Sequence, residues 1–364
     1  MSELKIAHID TALSWRGGER QVLELIKELN ARNQKNVLFC KQNSIIFKRA
    51  QDAGIHVIHL PLRGEWDVVS ALKLRTYIKR EKIKIVHAHT SHAHSVALMA
   101  LWHLDSCKLV VSRRVDFHIN NYFSRRFKYG LSVDKFIAVS DAVKRILVED
   151  GIDPKRVETV RSGFVQEKLL TNGECRDLRA ELGISEKTIV ISTVAALAPH
   201  KAHYVLIKTA NQVVKKHPNV KFLFAGEGEM KSVIKKNISN LGLEKSIILL
   251  GFIEDIGAVY RASDIFALSS EEEGLCSSIL DAMYFSLPIV ATSAGGIPEL
   301  VKDEVNGLIV PVGDYMLFNE KLNYLIEYPE RRKKMGSRSL EFLEKNKFEQ
   351  TVEKTLQIYK SLFE

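Results

Sequence analysis

Short runs of Val, Ile and other apolar residues alternate with amphipathic segments along most of this 364-residue chain. The runs predict strands, and the first series comprises Lys5–Asp10, Asn36–Cys40, His56–His59, Ile83–Ala88, Lys108–Ser112, Lys135–Val139 and Val157–Val160. The segments between them predict helices, which include Gly18–Arg32, Asp67–Glu81, Ser91–Leu104 and Asp141–Glu149. Strands that alternate with helices are typical of βαβ units, and uninterrupted apolar strands are typical of a buried parallel sheet. The pattern therefore predicts a doubly wound α/β sheet.

The alternation fades over residues 161–173 and then starts again. The second series of predicted strands comprises Thr188–Val194, Val220–Ala225, Ser246–Leu249, Ile265–Leu268, Pro288–Ala291 and Leu308–Val310. Three amphipathic helices close the chain, at Asp314–Glu327, Pro329–Lys345 and Phe348–Phe363. Because the chain is longer than one core usually grows, we expect two Rossmann-like domains, at 1–170 and 171–345, with the final helix 348–363 free to pack back on the first. Ligands of such sheets bind at the carboxyl ends of the strands, so the expected place for chemistry is the cleft between the domains.

Composition argues against a disordered chain and against a collagen-like or fibrous one. A hydrophobic share of 46% with 27% charged residues is that of an ordinary globular chain. No apolar run approaches the roughly 18 to 20 residues of a membrane-spanning helix, and the N-terminus has no secretory signal, so we expect a cytoplasmic protein. The cysteines are far apart and form no C-x-x-C pair, which favours reduced, buried thiols over a zinc site or a disulfide framework; they are Cys40, Cys107, Cys175 and Cys276.

The formal net charge of +9 is concentrated in the first half of the chain. Residues 1–170 carry 29 Lys and Arg against 18 Asp and Glu, whereas residues 171–364 carry 24 against 26. A basic first half favours an anionic partner: a phosphate-bearing ligand, an anionic membrane surface or a nucleic acid. A merely soluble basic surface would produce the same imbalance. Nucleic acid fits least well, because no known nucleic-acid-binding module is present and the Gly-rich turns suit a small phosphate ligand.

Residues 269–283, S-S-E-E-E-G-L-C-S-S-I-L-D-A-M, carry the strongest chemical signal. They follow a predicted strand and lead into a predicted helix. Gly274 permits a sharp turn, and the amides of Leu275, Cys276 and Ser277 fall at the helix N-terminus, where free N–H groups attract phosphate. Glu273 and Asp281 flank that position, as carboxylates that bind sugar hydroxyls on either side of a diphosphate would. We interpret the neighbouring Glu271 and Glu272 as solvated.

The order of these motifs resembles family 4 of the retaining glycosyltransferases, whose fold is GT-B: two Rossmann-like domains that face each other across a cleft. The resemblance rests on E-G-x6-D-A-M, on P-I-V-A-T-S-A-G-G-I-P-E-L-V and on N-G-L-I-V-P-V-G-D in the second half. In the first half it rests on R-G-G-E-R at 16–20, V-H-A-H-T at 86–90 and V-S-D-A-V at 139–143, and L-A-P-H-K-A-H at 197–203 opens the second half. It covers nearly the whole chain, and it is the ordered set that makes it specific.

The resemblance implies roles for individual residues. Lys201 is expected on the donor diphosphate, Glu273 on the transferred sugar, Asp281 on the nucleotide ribose and His89 on the donor sugar. Further donor-binding positions are Gly17, Gly18, Gly226, Gly228, Phe252, Ile253, Gly274, Leu275, Cys276 and Ser277. Gly17 and Gly18 let backbone amides approach the diphosphate from the first domain, and the turns at 224–228 and 251–253 line the base pocket.

Three positions depart from the family's pattern. Asp281 replaces a Glu, and Ala196 stands where the family has an Arg that neutralises phosphate. Arg114 stands where many members have a His near the sugar. We therefore expect Arg114 to supply the missing positive charge and include it with Lys201, Glu273 and His89 among the catalytic residues.

Two further segments have competing interpretations. The histidines at 87, 89, 92 and 94 suggest a metal site, but no carboxylate or Cys lies nearby in the sequence, and we expect neither metal nor cofactor. The segment Arg113–Tyr129 mixes basic and aromatic residues. It is read equally well as an element that meets anionic lipid head groups and as an ordinary amphipathic helix.

The resemblance implies transfer of a sugar from a nucleoside-diphosphate sugar to an acceptor hydroxyl, with retention of configuration and without a metal. Fixed cations and amides would stabilise the leaving diphosphate. The basic first half favours a phosphorylated or lipid-linked acceptor of envelope polysaccharide or lipopolysaccharide synthesis, and peripheral attachment to the inner face of the membrane. The alternatives are a nucleotide-sugar epimerase with the same architecture and a non-catalytic nucleotide-sugar-binding subunit.

Overall fold

The computed structural model describes residues 4–119, 128–130, 133–169 and 176–364. The chain divides into two compact units. Unit 1 contains the residues up to Gly163 together with Phe348–Glu364, and unit 2 contains Phe164–Lys347. The division thus lies slightly before the boundary at 170 that the sequence suggests.

Unit 1 is built on a parallel sheet that has seven strands in the described residues, in the order β3-β2-β1-β4-β5-β6-β7. The strands are β1 (Lys5–Ile9), β2 (Lys35–Cys40), β3 (Val57–His59), β4 (Ile85–Ala88), β5 (Lys108–Arg113), β6 (Lys135–Ala138) and β7 (Val157–Thr159). Its helices are α1 (Gly17–Ala31), α2 (Ile45–Asp52), α3 (Val68–Glu81), α4 (Ser91–Leu101), α5 (Asp141–Glu149) and, from the end of the chain, α14 (Phe348–Ser361). Hydroxyl caps start helices directly after strands: the side chains of Thr90 and Ser140 accept hydrogen bonds from the first turns of α4 and α5.

Unit 2 is built on a parallel sheet with six strands in the described residues, in the order β10-β9-β8-β11-β12-β13. The strands are β8 (Ile189–Val194), β9 (Val220–Ala225), β10 (Ile247–Gly251), β11 (Ile265–Leu268), β12 (Ile289–Thr292) and β13 (Gly307–Val310). Its helices are α6 (Leu178–Glu181), α7 (His203–Lys216), α8 (Lys231–Asn240), α9 (Ile256–Arg261), α10 (Ser277–Tyr284), α11 (Ile297–Leu300), α12 (Tyr315–Glu327) and α13 (Pro329–Leu343). The central strands are buried on both faces, as their uninterrupted apolar sequences predict.

The last helix completes unit 1 from the far end of the chain. A Cβ atom on Gly163 would lie 2.4 Å from the Cα of Phe348, so only glycine allows the two backbones to approach this closely. The Thr351 hydroxyl donates to the carbonyl of Arg161 at 2.8 Å, and the side-chain amide of Gln21 donates to the carbonyl of Gly163 at 2.8 Å. Helix α14 is therefore a structural part of unit 1.

The structure bears on two expectations from composition, one about the cysteines and one about membrane-spanning helices. Cys40, Cys107 and Cys276 are buried free thiols, and Cys175 lies outside the described residues. Among the helices that the structure describes, none has both the length and the apolar character that crossing a membrane requires.

Candidate functional site

The carboxyl ends of the first three strands of unit 2 are tied together at glycines. A Cβ atom on Gly226 would lie 1.9 Å from the carbonyl oxygen of Ala195, and one on Gly228 would lie 2.3 Å from that of Leu197. The N–H of Gly226 donates to the carbonyl of Gly251 at 2.8 Å. Because neither Gly226 nor Gly228 leaves room for a side chain, the turn after β9 presents bare backbone at this edge of the sheet.

Lys201 and Glu273 form an ion pair at the same edge of unit 2. Lys201 ends a short 3₁₀ turn that follows β8, and its Nζ contacts Oε1 of Glu273. The Ser270 hydroxyl donates to that same carboxylate oxygen at 3.0 Å, and the Glu273 side chain is only 9% exposed. The ion pair thus places a compact positive charge and an anchored carboxylate side by side. The structure brings together two residues that lie 72 positions apart in the chain.

Helix α10 begins next to this ion pair. Its N-cap is Cys276, whose side chain caps no backbone amide and lies 3.0 Å from the Ser278 hydroxyl. The N–H of Ile279 donates to the carbonyl of Cys276 at 3.2 Å, so the amides left for a ligand are those of Ser277 and Ser278. Leu275 and the buried Gly274 precede the helix. Burial, Glu273 and Lys201 all act on the Cys276 thiol, whose pKa is raised to about 12, mainly by burial. The thiol is therefore neutral, and the helix dipole leaves this position electropositive.

The remaining predicted positions of unit 2 lie around these elements. Asp281 is buried on α10, 5% exposed. Phe252 follows β10 and is 63% exposed, whereas Ile253 packs inward on the apolar cluster beneath α9. Ala196 lies in the loop after β8, where its carbonyl accepts from the N–H of Ala198 at 2.9 Å, and it brings no charge to that loop.

In unit 1, Arg114 lies against the glycines that open α1. Helix α1 begins at Gly17, and a Cβ atom on Gly18 would lie 3.5 Å from Cδ of Arg114. Burial lowers the pKa of the half-buried Arg114 guanidinium, and the carboxylates of Asp10 and Glu19 oppose that effect. Burial and Glu19 in turn raise the pKa of Asp10 to about 7. Arg114 thus has an acidic environment within its own unit.

A chain of buried histidines runs beneath this edge of unit 1. The side-chain amide of Asn36 donates to Oδ1 of Asn30 at 2.8 Å and to the carbonyl of Gln34 at 2.9 Å, so its own oxygen accepts from Nε2 of His8 at 3.0 Å. Neutral His8 then accepts at Nδ1 from Nε2 of His89, at 3.0 Å. Nδ1 of His89 consequently carries a lone pair, and it is buried without a hydrogen-bond partner among the described residues.

His87 belongs to the same cluster but is held by other groups. Its Nδ1 lies 2.5 Å from the hydroxyl of Tyr359, and its Nε2 lies 2.8 Å from the hydroxyl of Ser112. Burial lowers the pKa of His8 to about 4 and those of His87 and His89 well below the ordinary value, so all three rings are neutral at pH 7.

The nitrogens of His8, His87 and His89 lie within 4.8 Å of one another, a spacing compatible with a metal ion. The donor set does not fit one well, because five of the six ring nitrogens already take part in the hydrogen bonds described above, and Nδ1 of His89 is the sixth. The cluster also includes no carboxylate to offset the ion's charge. We interpret it as a hydrogen-bond network that orients His89.

The structure also locates the other two histidines, His92 and His94, and part of the segment Arg113–Tyr129. His94 packs edge-on against Tyr129 and Phe136, which makes it part of the core, while His92 is exposed. Of the segment Arg113–Tyr129, residues 120–127 lie outside the described residues. Its two ends, Arg113 and Tyr129, are each 6% exposed and hydrogen-bond to each other at 3.0 Å. These two residues are therefore buried core contacts rather than lipid-facing groups.

No sequence motif singled out His8, Asp10 or Tyr359. A histidine inside the apolar run Ile6–Ile9 is the signal that points to His8, because a strand buried on both faces forces a polar side chain to find a partner. No sequence signal pairs Tyr359 with His87, since the two residues are 272 positions apart.

Models of known protein families match both halves of the chain. The profile of the family "Glycosyl transferases group 1" matches residues 175–342, and that of "Glycosyltransferase Family 4" matches residues 15–167. The chain is 25% identical over 332 residues to the UDP-Gal:alpha-D-GlcNAc-diphosphoundecaprenol alpha-1,3-galactosyltransferase of Escherichia coli. The aligned residues cover 86% of this chain and 85% of that protein.

Solved structures show the same fold. A glycosyltransferase from Rickettsia africae ESF-5 superposes with a TM-score of 0.88 at 21% identity, over 100% of both chains. The Anabaena protein HepE, in complex with UDP-glucose, superposes with a TM-score of 0.85 at 21% identity, over 99% of this chain and 100% of that one. Two parallel-sheet units with such neighbours identify the GT-B fold.

Proposed function

Because the chain belongs to the group 1 glycosyl transferases of glycosyltransferase family 4, we propose that it transfers a sugar from a nucleoside-diphosphate sugar to an acceptor hydroxyl with retention of configuration. The observation that carries the proposal is the cluster in unit 2. Lys201 and Glu273 form an ion pair beside the free N-terminal amides of α10, and the buried Asp281 lies on the same helix. A positive side chain next to a helix N-terminus is the arrangement that favours a diphosphate.

In the proposed reaction the bond between the anomeric carbon and the diphosphate oxygen breaks, and the acceptor oxygen bonds to that carbon on the same face. The acceptor proton passes to the departing diphosphate, so the protein need not supply a general base. Lys201 and the α10 amides stabilise the charge that develops on the leaving group. Glu273, anchored by Lys201 and Ser270, orients the sugar, and Asp281 binds the ribose.

We propose that no metal takes part, since fixed donors occupy the role that Mg²⁺ would otherwise have. Turnover measured in excess EDTA is expected to equal turnover without it. A loss that Mg²⁺ or Mn²⁺ restores would reject this part of the proposal.

Arg114 is proposed as the cation that compensates for Ala196. Its contact with Gly18, at the N-terminus of α1, supports this role, because that helix end already favours an anion. Arg114→Ala is expected to raise the donor KM or lower kcat, and Arg114→Lys should restore part of the loss. Unchanged kinetics in Arg114→Ala would remove this residue from the mechanism.

The acceptor is proposed to be a glycan or glycolipid of envelope polysaccharide or lipopolysaccharide synthesis, handled in the cytoplasm at the inner face of the membrane. Two observations support it. The first half of the chain is strongly basic, and the name of the related Escherichia coli enzyme specifies a diphosphoundecaprenol-linked acceptor. A panel of lipid-diphosphate-linked and free sugars tests this part; transfer to free sugars alone would reject it.

The first experiment is a thermal-shift panel of nucleoside diphosphates and nucleotide sugars. A ligand that binds only the folded state raises the Tm by mass action. We expect one donor class to raise it, and Lys201→Ala to abolish the rise. The Tm of the ligand-free variant should itself be lower, because the buried Glu273 carboxylate loses its ion-pair partner, so each rise is measured against the same variant without ligand. Turnover of that donor with acceptors then separates the alternatives: transferred sugar supports this proposal, isomerised donor supports the epimerase, and binding without product supports a non-catalytic subunit.

A further inference from the structure

Large apolar side chains are exposed at the start of α3, on the outside of unit 1. Trp66 is 79% exposed, and Val68, Val69 and Leu72 are each more than half exposed. Single exposed apolar residues are normal on a protein surface, but four within seven consecutive positions form a patch, and such patches mark interaction sites.

The periodicity of α3 shows that these apolar residues lie on the side of the helix that faces away from the core. The helix turns Ser70, Ala71, Leu74 and Ile78 inward, and all four are buried. Val69, Leu72 and Thr76 follow one another at intervals of three and four residues on the other side. A solvent-facing side that is apolar in its first turns is unusual for a helix whose inner side already fills its share of the core.

The same face becomes basic further along the helix. Within the helix there are four Lys and Arg against one Glu, and Lys73, Lys79 and Arg80 are exposed. A groove of about 320 Å³ runs along the face, lined by Leu72, Lys73, Thr76, Tyr77 and Arg80. The Arg80 guanidinium stacks over the Tyr77 ring at 5.2 Å, and its Nε donates to the exposed Glu81 carboxylate at 2.8 Å. Arg80 is itself 67% exposed in its side chain, so it stays accessible at one side of an apolar floor.

A second tryptophan lies beside this face. Trp102 follows α4 and is 68% exposed. Arg75 of α3 donates from Nη1 to the carbonyl of Trp102 at 2.7 Å and to that of Ala100 at 2.8 Å, which fixes the end of α4 against α3. The exposed indole is therefore attached to the same surface as the patch on α3.

We propose that the α3 face, defined as Trp66, Val68, Val69, Leu72, Lys73, Arg80 and Trp102, docks on the surface of an anionic lipid bilayer. Tryptophan favours the boundary between head groups and acyl chains because its ring is apolar and its N–H is polar. Val and Leu enter the outer acyl region, while the Lys and Arg side chains extend to the lipid phosphates. Apolar residues and positive charge on one helix face match such a surface better than either feature alone. The inference does not depend on which sugar is transferred, or on whether transfer occurs.

The test is co-sedimentation of the full chain with large vesicles of phosphatidylcholine alone and of phosphatidylcholine with one-quarter phosphatidylglycerol. We expect binding to the anionic vesicles, weakened by salt. The double variant Trp66→Ser/Leu72→Ser and the double variant Lys73→Glu/Arg80→Glu should each reduce the partition coefficient at least tenfold. The control is Val233→Ser/Lys236→Glu on α8 of unit 2, which removes one exposed apolar and one exposed basic residue from another helix and should bind as the parent protein does.

Three results would overturn the proposal: no binding to either vesicle, binding equally strong to both, or binding that both α3 variants retain. Sedimentation velocity examines a different occupant, a second copy of the chain. A parent dimer that Trp66→Ser/Leu72→Ser converts to a monomer would assign the face to self-association instead. The Tm and the donor-induced thermal shift of each variant show that it is folded. If the apolar variant proves unstable, the charge variant, whose residues are exposed, decides the question alone.

Discussion

The hydroxyl of Tyr359 lies 2.5 Å from Nδ1 of His87, and both side chains are buried. Tyr359 is on the last helix of the chain, whereas His87 is on the central strand β4. The bond joins α14 to His87, whose ring packs against that of His89 with 4.0 Å between the ring centroids. Tyr359 thus helps to hold a ring that packs against a residue expected to contact the donor sugar.

Tyr359→Phe tests that support. Loss of the hydroxyl leaves a buried ring nitrogen without its partner, which costs about 1–3 kcal/mol. We expect the free energy of unfolding of the part that contains unit 1 to fall by that amount in urea titrations. Tyr324→Phe is the control, because its ring packs on Tyr328 in unit 2. Equal midpoints for Tyr359→Phe and the parent would contradict the assignment.

Replacing a glycine of the turn after β9 with alanine should both destabilise unit 2 and disturb the candidate donor site. In Gly226→Ala the new Cβ would lie 1.9 Å from the backbone carbonyl of Ala195, so the turn must move away from the loop that leads to Lys201. We expect loss of the donor-induced thermal shift together with a loss of stability of more than about 2 kcal/mol.

The control for that substitution is Gly242→Ala. Gly242 has a positive φ of 65° but nothing within 4 Å of its Cβ position, so only the conformational cost of about 1–2 kcal/mol applies. Gly242→Ala should keep the donor-induced shift. If both variants lose it, a general destabilisation of unit 2 explains the effect and the local clash does not.

Because His94 is buried as a neutral ring, we expect the protein to lose stability in mild acid. Burial lowers its folded pKa from 6.5 to about 3, so the unfolded chain binds a proton below pH 6.5 that the folded protein refuses. Stability is unaffected above pH 6.5 and is lost as the pH falls from 6.5 towards 3, by about 1.4 kcal/mol for each pH unit. His94→Leu keeps an apolar side chain against Tyr129 and Phe136 and should reduce the slope by its own share, about 1.4 kcal/mol for each pH unit, in urea titrations at pH 7, 6, 5 and 4. The buried His8, His87 and His89 should keep the rest of the dependence. The exposed His92, replaced by Asn, should leave the slope unchanged; an unchanged slope in His94→Leu would refute the prediction.

Asp281 predicts a kinetic effect confined to the donor. If its carboxylate binds the ribose, Asp281→Asn should raise the donor KM by about ten- to a hundredfold, since a hydrogen bond to a charged group is worth roughly 1.5–3 kcal/mol. The acceptor KM should stay the same. Glu272→Gln, on the exposed side of the same loop, provides the comparison. A change in the acceptor KM alone would place Asp281 elsewhere in the mechanism.

The strands were the most predictable part of the fold. A parallel strand buried on both faces is a run of apolar residues, and each predicted run coincides with a strand to within about two residues at either end. Helix α2 was not predicted. It has only eight residues, Ile45–Asp52, and two of them are buried, so its apolar stripe is too short to show a helical period. Its visible signal is Ser44, whose hydroxyl caps the first turn by accepting from Phe47 N–H at 3.3 Å.

The candidate site was predictable where one motif contained it and not where the fold assembled it. Glu273 and Asp281 lie on one short segment and were selected directly. Lys201 was selected only through the resemblance to a family, and its contact with Glu273 depends on strands β8 and β11 being neighbours in the sheet. The orientation of His89 depends on His8 and Asn36, which no local pattern links to it.

Unit 1 is made from two separate parts of the chain, and this order has a consequence during synthesis. When the ribosome has completed the seventh strand, the surface that α14 will cover is still exposed to solvent. The hydrogen bond between His87 and Tyr359 cannot yet form, because Tyr359 has not been synthesised. All of unit 2 is made before the missing helix emerges. The first half must therefore wait with an open core while the second half folds, and its closure comes only after Tyr359 has left the ribosome. A stop codon anywhere between unit 2 and Tyr359 would leave a complete second sheet attached to an unfinished first one.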